Sequence, residues 1–156
     1  MMNQEYDPLE RGFERSVPMM FYRALDAVLP PFREIFAKFN ITQPQWRVLR
    51  VLWDEDGQNL TSIAERTLIV PTVLVGIVDR LERDGRVERR RSHKDRRRVH
   101  VCLTESGRAL KDDVVPLVRD VYVQLQAALE PEEWANLYDA IDKLIEAENN
   151  ARATSV

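Results

Sequence analysis

The sequence predicts a mainly α fold with one small two-stranded β-hairpin. Apolar residues recur at helical spacing through most of the 156-residue chain. Between residues 87 and 103 this spacing gives way to the two-residue alternation of strands. The chain has only five glycines, which suits helices better than a turn-rich β fold. Its length, with 44% hydrophobic and 31% charged residues, fits one folded domain over residues 1–156.

The first helical segment covers residues 16–40, after a polar arm. Pro30 and Pro31 lie in the middle of its apolar series. Because proline lacks an N–H and clashes with the preceding turn, we expect the helix to kink or break there. Asn40 ends the segment.

The next helix has a well-marked start. Thr42 and Gln45 have the spacing of a capping box, and Ile41 and Trp46 that of a hydrophobic staple. The acidic run that precedes Gly57 stops this helix.

The two helices that follow form a helix-turn-helix candidate. Asn59 is placed to cap a short helix. After the tight connection at residues 67–70, Pro71 stands in the first turn of a longer helix, where proline is well tolerated. Gly85 ends that helix, since glycine adopts the left-handed conformation at little cost. Two helices joined by so short a turn are typical of DNA-binding motifs.

The hairpin is predicted from two alternating runs, residues 87–90 and 99–103, with a polar tip at 92–97 between them. Thr104 can cap the next helix, with Glu105 in its first turn. A last helix begins at Glu130-Pro131. One small domain cannot bury all the apolar residues of these two helices, so we expect an identical subunit to cover them. They are Val118, Val121, Leu125, Trp134, Leu137, Ile141 and Leu144.

Charge is unevenly distributed along the chain. The whole sequence has 23 Lys and Arg against 26 Asp and Glu, a net charge of −3. Residues 80–98 contain ten basic and four acidic side chains, so this window is +6 and the remaining 137 residues carry −9. A basic block in an acidic protein indicates one surface directed at a polyanion.

Four motifs along this part of the chain resemble the MarR family of winged helix-turn-helix regulators. They are Ile63-Ala64-Glu65-Arg66, residues 78–85 (VDRLERDG), Asp95-Arg96-Arg97 and residues 103–110 (LTESGRAL). The resemblance covers about residues 16–147. It implies a winged helix-turn-helix lobe at 42–103 and dimerisation helices at 16–40 and 104–147. Residues 42–52 and Gly76-Ile77 further resemble the branch that includes the homoprotocatechuate-degradation regulator, which responds to aromatic carboxylic acids.

The resemblance implies a dimeric DNA-binding regulator, most simply a repressor that binds a pseudo-palindromic operator. The second helix of the motif would enter the major groove with Thr72, Val73 and Val75 near its start. None of these reads guanine or adenine through two hydrogen bonds, so we expect modest readout through thymine methyl groups. Arg80 and Arg83 lie further along this helix, where they would be better placed to contact DNA phosphates. Two alternatives stay open: Val73 as partly core, and Arg83 as merely solvated.

The hairpin would be the wing. Arg96 and Arg97 at its tip suit a narrow minor groove, where Asp95 would orient an arginine through charge-assisted hydrogen bonds. Lys94, Arg89 and Arg91 complete the predicted basic surface, although only one face of the strand at 89–91 can meet DNA. The other interpretation of the tip is a solvated charged loop.

The family often binds phenolic or carboxylate ligands between the dimer helices and the DNA-binding lobe. Here Arg47 and Arg50 are three residues apart, and Trp46 and Arg50 are four apart, so each pair shares a helix face. With Arg23 and an aromatic wall from Trp46 or Phe21, these arginines suit an aromatic acid. Alternatively, Trp46 is only the staple residue and Arg50 pairs with Asp54.

Some departures from the family pattern affect base contacts rather than the fold. Val70 stands where a capping Ser or Thr is common, Val75 and Gly76 where a Thr or Arg is, and Arg86 where a Leu is usual. The apolar recognition helix gives weight to one alternative, an architectural DNA-binding protein of low sequence specificity. A regulator without a ligand is a separate alternative.

Other classes of function are not indicated. The sequence has no phosphate-binding loop, nucleophile motif or metal cluster, so we expect no enzyme activity, no cofactor and no metal. Some members of the family sense oxidants through a cysteine, but Cys102 is the single cysteine and lacks a resolving partner in the chain, so it is interpreted as a small structural side chain. The absence of a signal peptide and of a long apolar run predicts a cytoplasmic protein without a membrane partner.

Overall fold

The structure is a computed structural model that describes residues 12–91 and 99–154, apart from the side chains of residues 148 and 152–154. The chain divides into two compact units, one ending at Val118 and the other beginning at Arg119. Within the described residues the order is a 3₁₀ turn, three helices, a short strand, two helices, two strands and two long helices. The predicted mainly α fold with a β wing is confirmed.

The predicted break in the first segment is present. α1 (Val17–Val28) ends one residue before α2 (Pro30–Lys38), and Leu29 alone separates them. α3 (Gln43–Asp54) starts with the predicted capping box. The Thr42 amide donates to Gln45 Oε1 over 2.8 Å, and the Gln45 amide donates to Thr42 Oγ1 over 3.3 Å. Residues next to each start thus determine where α2 and α3 begin: the prolines at the start of α2, and the reciprocal hydrogen bonds of Thr42 and Gln45 at the start of α3.

The helix-turn-helix consists of α4 (Leu60–Thr67) and α5 (Pro71–Arg83). The Asn59 side chain caps α4 by accepting from the Ser62 amide, as predicted. Leu68 then takes the left-handed conformation, with φ of 53°, although it is not glycine. Gly85 closes α5 at φ of 69°, in agreement with the sequence.

The sheet has three strands, one more than expected. β2 (Val87–Arg91) and β3 (Val99–Leu103) form the predicted antiparallel hairpin, with Val87 opposite Leu103 and Arg91 opposite Val99. β1 (Gln58–Asn59) adds to the other edge of β3, giving the order β1-β3-β2. A two-residue segment is too short to show the alternation of apolar and polar residues that predicts a strand. β1 is a strand only because it pairs with β3, which is distant in the sequence.

The core of the first unit lies between α3, α4, α5 and the sheet. Val48, Leu49, Ile63 and Leu74 are fully buried, and so is Val101 of β3. Gln58 and Thr67 are buried polar residues with their hydrogen bonds made: Gln58 donates to the Glu55 carbonyl over 2.7 Å, and Thr67 to the Ile63 carbonyl over 2.6 Å. This packing holds α5 and β2 together.

α6 (Glu105–Gln126) starts at the predicted Thr104 cap, whose Oγ1 accepts from the Gly107 amide over 3.0 Å, and it continues through Pro116. α7 (Pro131–Thr154) is the last helix. Large apolar side chains are exposed on α1 and in the second unit. They include Met20, Phe21, Leu25, Leu129, Leu137, Tyr138, Leu144 and Ile145. Of the residues expected to need a partner, Val118 is buried within the chain itself.

Candidate nucleic-acid interface

The start of α5 presents an apolar surface to solvent. Val73 is 56% exposed and Val75 is 43% exposed, and Thr72 is also exposed. The exposure of Val73 favours its interpretation as a surface residue over the interpretation as partly core. Two further residues extend the surface, Leu68 at 87% exposure and Val70 at 61%. We call these five residues the apolar tip.

The buried side of α5 explains why Thr72, Val73 and Val75 point outward. Leu74, Ile77, Val78 and Leu81 have almost no exposed surface. They recur every three or four residues, so they occupy one face of the helix and the intervening valines lie on another. Val70 occupies the N-cap position without a side-chain hydrogen bond, which agrees with the departure noted in the sequence. A cluster of exposed apolar side chains indicates a binding surface, whereas buried apolar side chains are expected in any folded core.

The arginines of α5 and β2 differ in their partners. Arg83 lies 3.5 Å from Asp84, and the side chains of Arg90 and Glu88 are paired in the exposed part of β2. Hydrogen bonds and ion attraction from Glu88 raise the pKa of Arg90. By contrast, Arg80 and Arg91 are exposed and have no ion pair within the described residues. Among the arginines of α5 and β2, these two therefore have guanidinium groups that no described acid neutralises.

Arg89 is held by two acids of α5. Its Nη2 donates to Asp79 Oδ1 over 2.6 Å, and its Nη1 donates to Glu82 Oε2. The Arg89 backbone amide also donates to Glu82 Oε1, over 2.9 Å. Burial works against the charge, but the hydrogen bonds from Asp79 and Glu82 outweigh it and raise the pKa of Arg89. Its side chain is 25% exposed.

A second polar junction joins the end of α3 to β3 and α6. The Asp56 side chain accepts from the Leu103 amide over 2.7 Å and pairs with Arg108. The Trp53 indole N–H donates to the Gly107 carbonyl over 2.9 Å. These bonds fix the base of the wing against the helices that precede it and follow it.

The four wing-tip residues Lys94, Asp95, Arg96 and Arg97 lie outside the described residues, so their predicted DNA contacts stay predictions. The wing is described only at its base, where His100 Nδ1 lies 2.8 Å from the Gly57 carbonyl oxygen. Because a carbonyl only accepts, Nδ1 carries the proton in this contact.

The predicted ligand residues are not brought together in one described site. Trp46 stacks on Phe36 with ring centroids 4.8 Å apart and meets Trp53 edge-on at 5.4 Å. Arg50 pairs with Asp54, as the alternative interpretation had it. Arg47 is half-buried, with no side-chain partner among the described residues, whereas Arg23 and Phe21 are exposed on α1. Arg47 is therefore the strongest remaining candidate for binding a carboxylate.

Cys102 is buried, and burial with the nearby Asp56 charge raises its thiol pKa. In the described part of the chain, no group of three His, Cys, Asp or Glu side chains could hold a metal ion. No single helix there is long and apolar enough to cross a membrane; α4 and α5 pass that test only as a pair bent by 107°.

Sequence reasoning missed the acidic partners of Arg89 and the contribution of Leu68 to the apolar tip. Asp79 and Glu82 are three residues apart, so they share a helix face, and this spacing was a usable signal. Leu68 gave no such signal, because only the fold shows that its side chain is exposed. Asp56 was interpreted merely as part of a helix stop, whereas it bonds to β3 and α6.

Comparison with known proteins gives a consistent result. Residues 41–99 match the model of the MarR family. The homoprotocatechuate degradative operon repressor of Escherichia coli is 30% identical over 135 residues, which are 86% of this chain and 91% of that protein.

Two solved structures share the fold over most of their length. NadR in complex with 4-hydroxyphenylacetate is 30% identical, with a TM-score of 0.74, and the match covers 86% of this chain and 98% of that one. BpsR of Bordetella bronchiseptica, whose DNA binding is regulated by 6-hydroxynicotinic acid, is 26% identical, with a TM-score of 0.78. That match covers 85% of this chain and 95% of BpsR.

Proposed function

This chain belongs to the MarR family of DNA-binding transcriptional regulators, and we propose that it is a dimeric repressor released from its operator by a small aromatic carboxylate. The observation that carries the DNA-binding part is the helix-turn-helix with an exposed α5 start, next to a strand rich in arginine. In the dimer, two copies of α5 would enter successive major grooves and two wings would flank them.

Affinity would come mainly from phosphate contacts. The apolar tip lacks side chains that hydrogen-bond to bases in pairs, whereas Arg80 and Arg91 are free of acidic partners among the described residues. Arg96 and Arg97 are proposed, on the sequence, to add minor-groove contacts. Binding to phosphate releases counterions. A plot of the logarithm of the association constant against the logarithm of the salt concentration therefore has a slope of about −0.9 for each phosphate neutralised.

The experiment selects a duplex from a random-sequence library with the wild-type chain and measures its binding across a salt series. We expect a steep slope. Arg80→Ala and Arg91→Ala should each reduce the slope by about 1.8 per dimer, because each removes one contact from both subunits. Lys143→Ala, a change in the second unit, is the control and should leave the slope unchanged. Failure to select any sequence, or a slope near zero, would contradict DNA binding.

Release by an aromatic carboxylate has two supports. NadR and BpsR are solved in connection with 4-hydroxyphenylacetate and 6-hydroxynicotinic acid, both of them ring compounds that carry a carboxylic acid. In this chain, half-buried Arg47 follows Trp46, which lies in a cluster with Phe36 and Trp53. α2 and α3 thus offer aromatic side chains that suit a ring and, separately, a guanidinium without a described partner that suits a carboxylate.

The ligand need only favour a dimer whose two α5 helices are wrongly spaced for the operator. A coupling free energy of about 1–3 kcal/mol weakens binding by a factor of about 5–150. Calorimetric titration with a panel of phenolic and aromatic carboxylates should find one that releases heat and lowers operator affinity. Arg47→Gln should abolish that heat and Lys143→Gln should preserve it. A panel without heat, together with unchanged operator binding, would favour the ligand-independent regulator.

A further inference from the structure

The triad of Arg89, Asp79 and Glu82 joins the two elements that would face DNA. Asp79 and Glu82 belong to α5, the helix proposed to enter the major groove. Arg89 belongs to β2, which leads to the wing tip. Its guanidinium bonds to both carboxylates through different nitrogens, and its backbone amide bonds to Glu82 as well. Three hydrogen bonds therefore cross from the wing to the helix at one point.

The surroundings of Arg89 favour a link over a DNA contact. On β2, Val87, Arg89 and Arg91 share one face, since side chains alternate along a strand. Val87 is buried, the Arg89 side chain is 25% exposed and Arg91 is exposed. Arg89 thus stands where the strand leaves the core, beside α5. The two carboxylates it contacts also leave it little net positive charge to offer a phosphate.

We infer that Arg89 is a positioning residue, which fixes the wing to the DNA-facing helix so that both meet the operator as one preformed surface. This replaces its earlier interpretation as a DNA contact and rests on the proposed DNA-binding function. A fixed spacing matters because ordering two separate elements on binding would cost conformational entropy each time. A guanidinium suits the task because its planar fork engages two carboxylates in defined directions, which an ammonium does not.

A positioning role and a purely electrostatic role predict opposite changes in operator affinity for the same variant. Asp79→Asn with Glu82→Gln removes two negative charges from the face proposed to meet DNA and leaves Arg89 unpaired. If Arg89 and its neighbours act only through charge, operator affinity rises. If the triad positions the wing, operator affinity falls by about tenfold or more, in spite of the more favourable charge. Affinity for a scrambled duplex of equal length should stay the same or rise.

Arg89→Lys is the second variant. It keeps the positive charge, so a phosphate contact would survive with little change, whereas the link to two carboxylates would not. We expect it to lose operator affinity as the double acid variant does. Glu65→Gln is the matched control: it neutralises an exposed acid of α4 and should not lower operator affinity.

Binding is measured on the duplex selected by the wild-type chain, with thermal unfolding by circular dichroism to confirm that each variant is folded. Loss of specific binding by both variants, with binding to the scrambled duplex retained, supports the positioning role. Tighter operator binding by the double acid variant, or wild-type binding by Arg89→Lys, would overturn it while leaving the proposed function intact. A wild-type chain that selects no duplex would instead overturn the proposed function.

Discussion

Gly107 shows how one residue fixes the joint between the wing and α6. A Cβ built at this position would overlap the backbone carbonyl oxygen of Arg86 and would press on the Leu103 side chain. Gly107 is buried, and its own carbonyl accepts from the Trp53 indole over 2.9 Å. The start of α6 therefore approaches the backbone of Arg86, just before β2, too closely for any side chain at position 107.

We predict that Gly107→Ala destabilises the chain by about 1–3 kcal/mol, since backbone cannot move aside as a flexible side chain does. Gly76→Ala is the matched control, and we expect it to stabilise the chain instead. In α5 the added methyl meets only the far end of Arg80, at 3.8 Å, and alanine favours a helix by about 0.5–1 kcal/mol over glycine. Urea unfolding of both variants measures the difference; equal effects would refute the packing argument.

At the scale of elements, α5, the helix proposed to face DNA, combines a buried face with three residues of the apolar tip, Thr72, Val73 and Val75. Methyl-bearing side chains at its start suit the thymine methyl group, which is the apolar feature of the major groove. This readout differs from the phosphate contacts proposed for Arg80 and Arg91 because it depends on base identity. It is therefore measurable without changing the charge of protein or DNA.

Replacing thymine by uracil in the selected duplex removes only the methyl group. We predict a loss of about 0.8 kcal/mol, or about fourfold in affinity, at each thymine that the tip contacts. In Val73→Ala the same replacement should have less effect at the thymine that Val73 touches, because the partner methyl groups are already gone. Thymines outside the footprint serve as controls. Full affinity for an all-uracil duplex would exclude this readout.

Elements differ in how far their sequence determines them. The α3 cap was predictable because Thr42 and Gln45 satisfy each other locally. The α1–α2 break was predictable because proline acts on its own turn. β1 was not, since Gln58 and Asn59 become a strand only by pairing with Val101 and His100. The same holds within the site: the DNA-facing start of α5 was implied by the family resemblance, whereas the partners of Arg89 depend on how β2 packs against α5.

At the scale of the whole molecule, exposed apolar surface indicates a dimer. In α7, Leu137, Ile141 and Leu144 lie along one helix face, and Leu137 and Leu144 are 40% and 50% exposed. The second unit also has an apolar concavity of about 430 Å³ between α6 and α7, bounded by Tyr122, Leu129, Trp134 and Tyr138 among others. Contiguous apolar surface of this kind marks an interface.

We predict a dimer in sedimentation at micromolar concentration, with a melting temperature that rises with protein concentration, since association stabilises the folded state. Leu137→Glu with Leu144→Glu should shift the chain towards monomer. Ala135→Glu adds a charge on the opposite side of α7 and should not. A wild-type monomer, or equal dimerisation of all three proteins, would contradict the assignment of this face.

The buried position of Cys102 has a consequence for the kinds of signal that the regulator can receive. Only a thiolate attacks peroxides readily, and a raised pKa leaves a smaller thiolate fraction at neutral pH. The chain contains no second cysteine with which a sulfenic acid could condense. Both features disfavour oxidation of Cys102, which agrees with the proposed control by a reversibly bound ligand, whose effect is undone when the ligand is diluted.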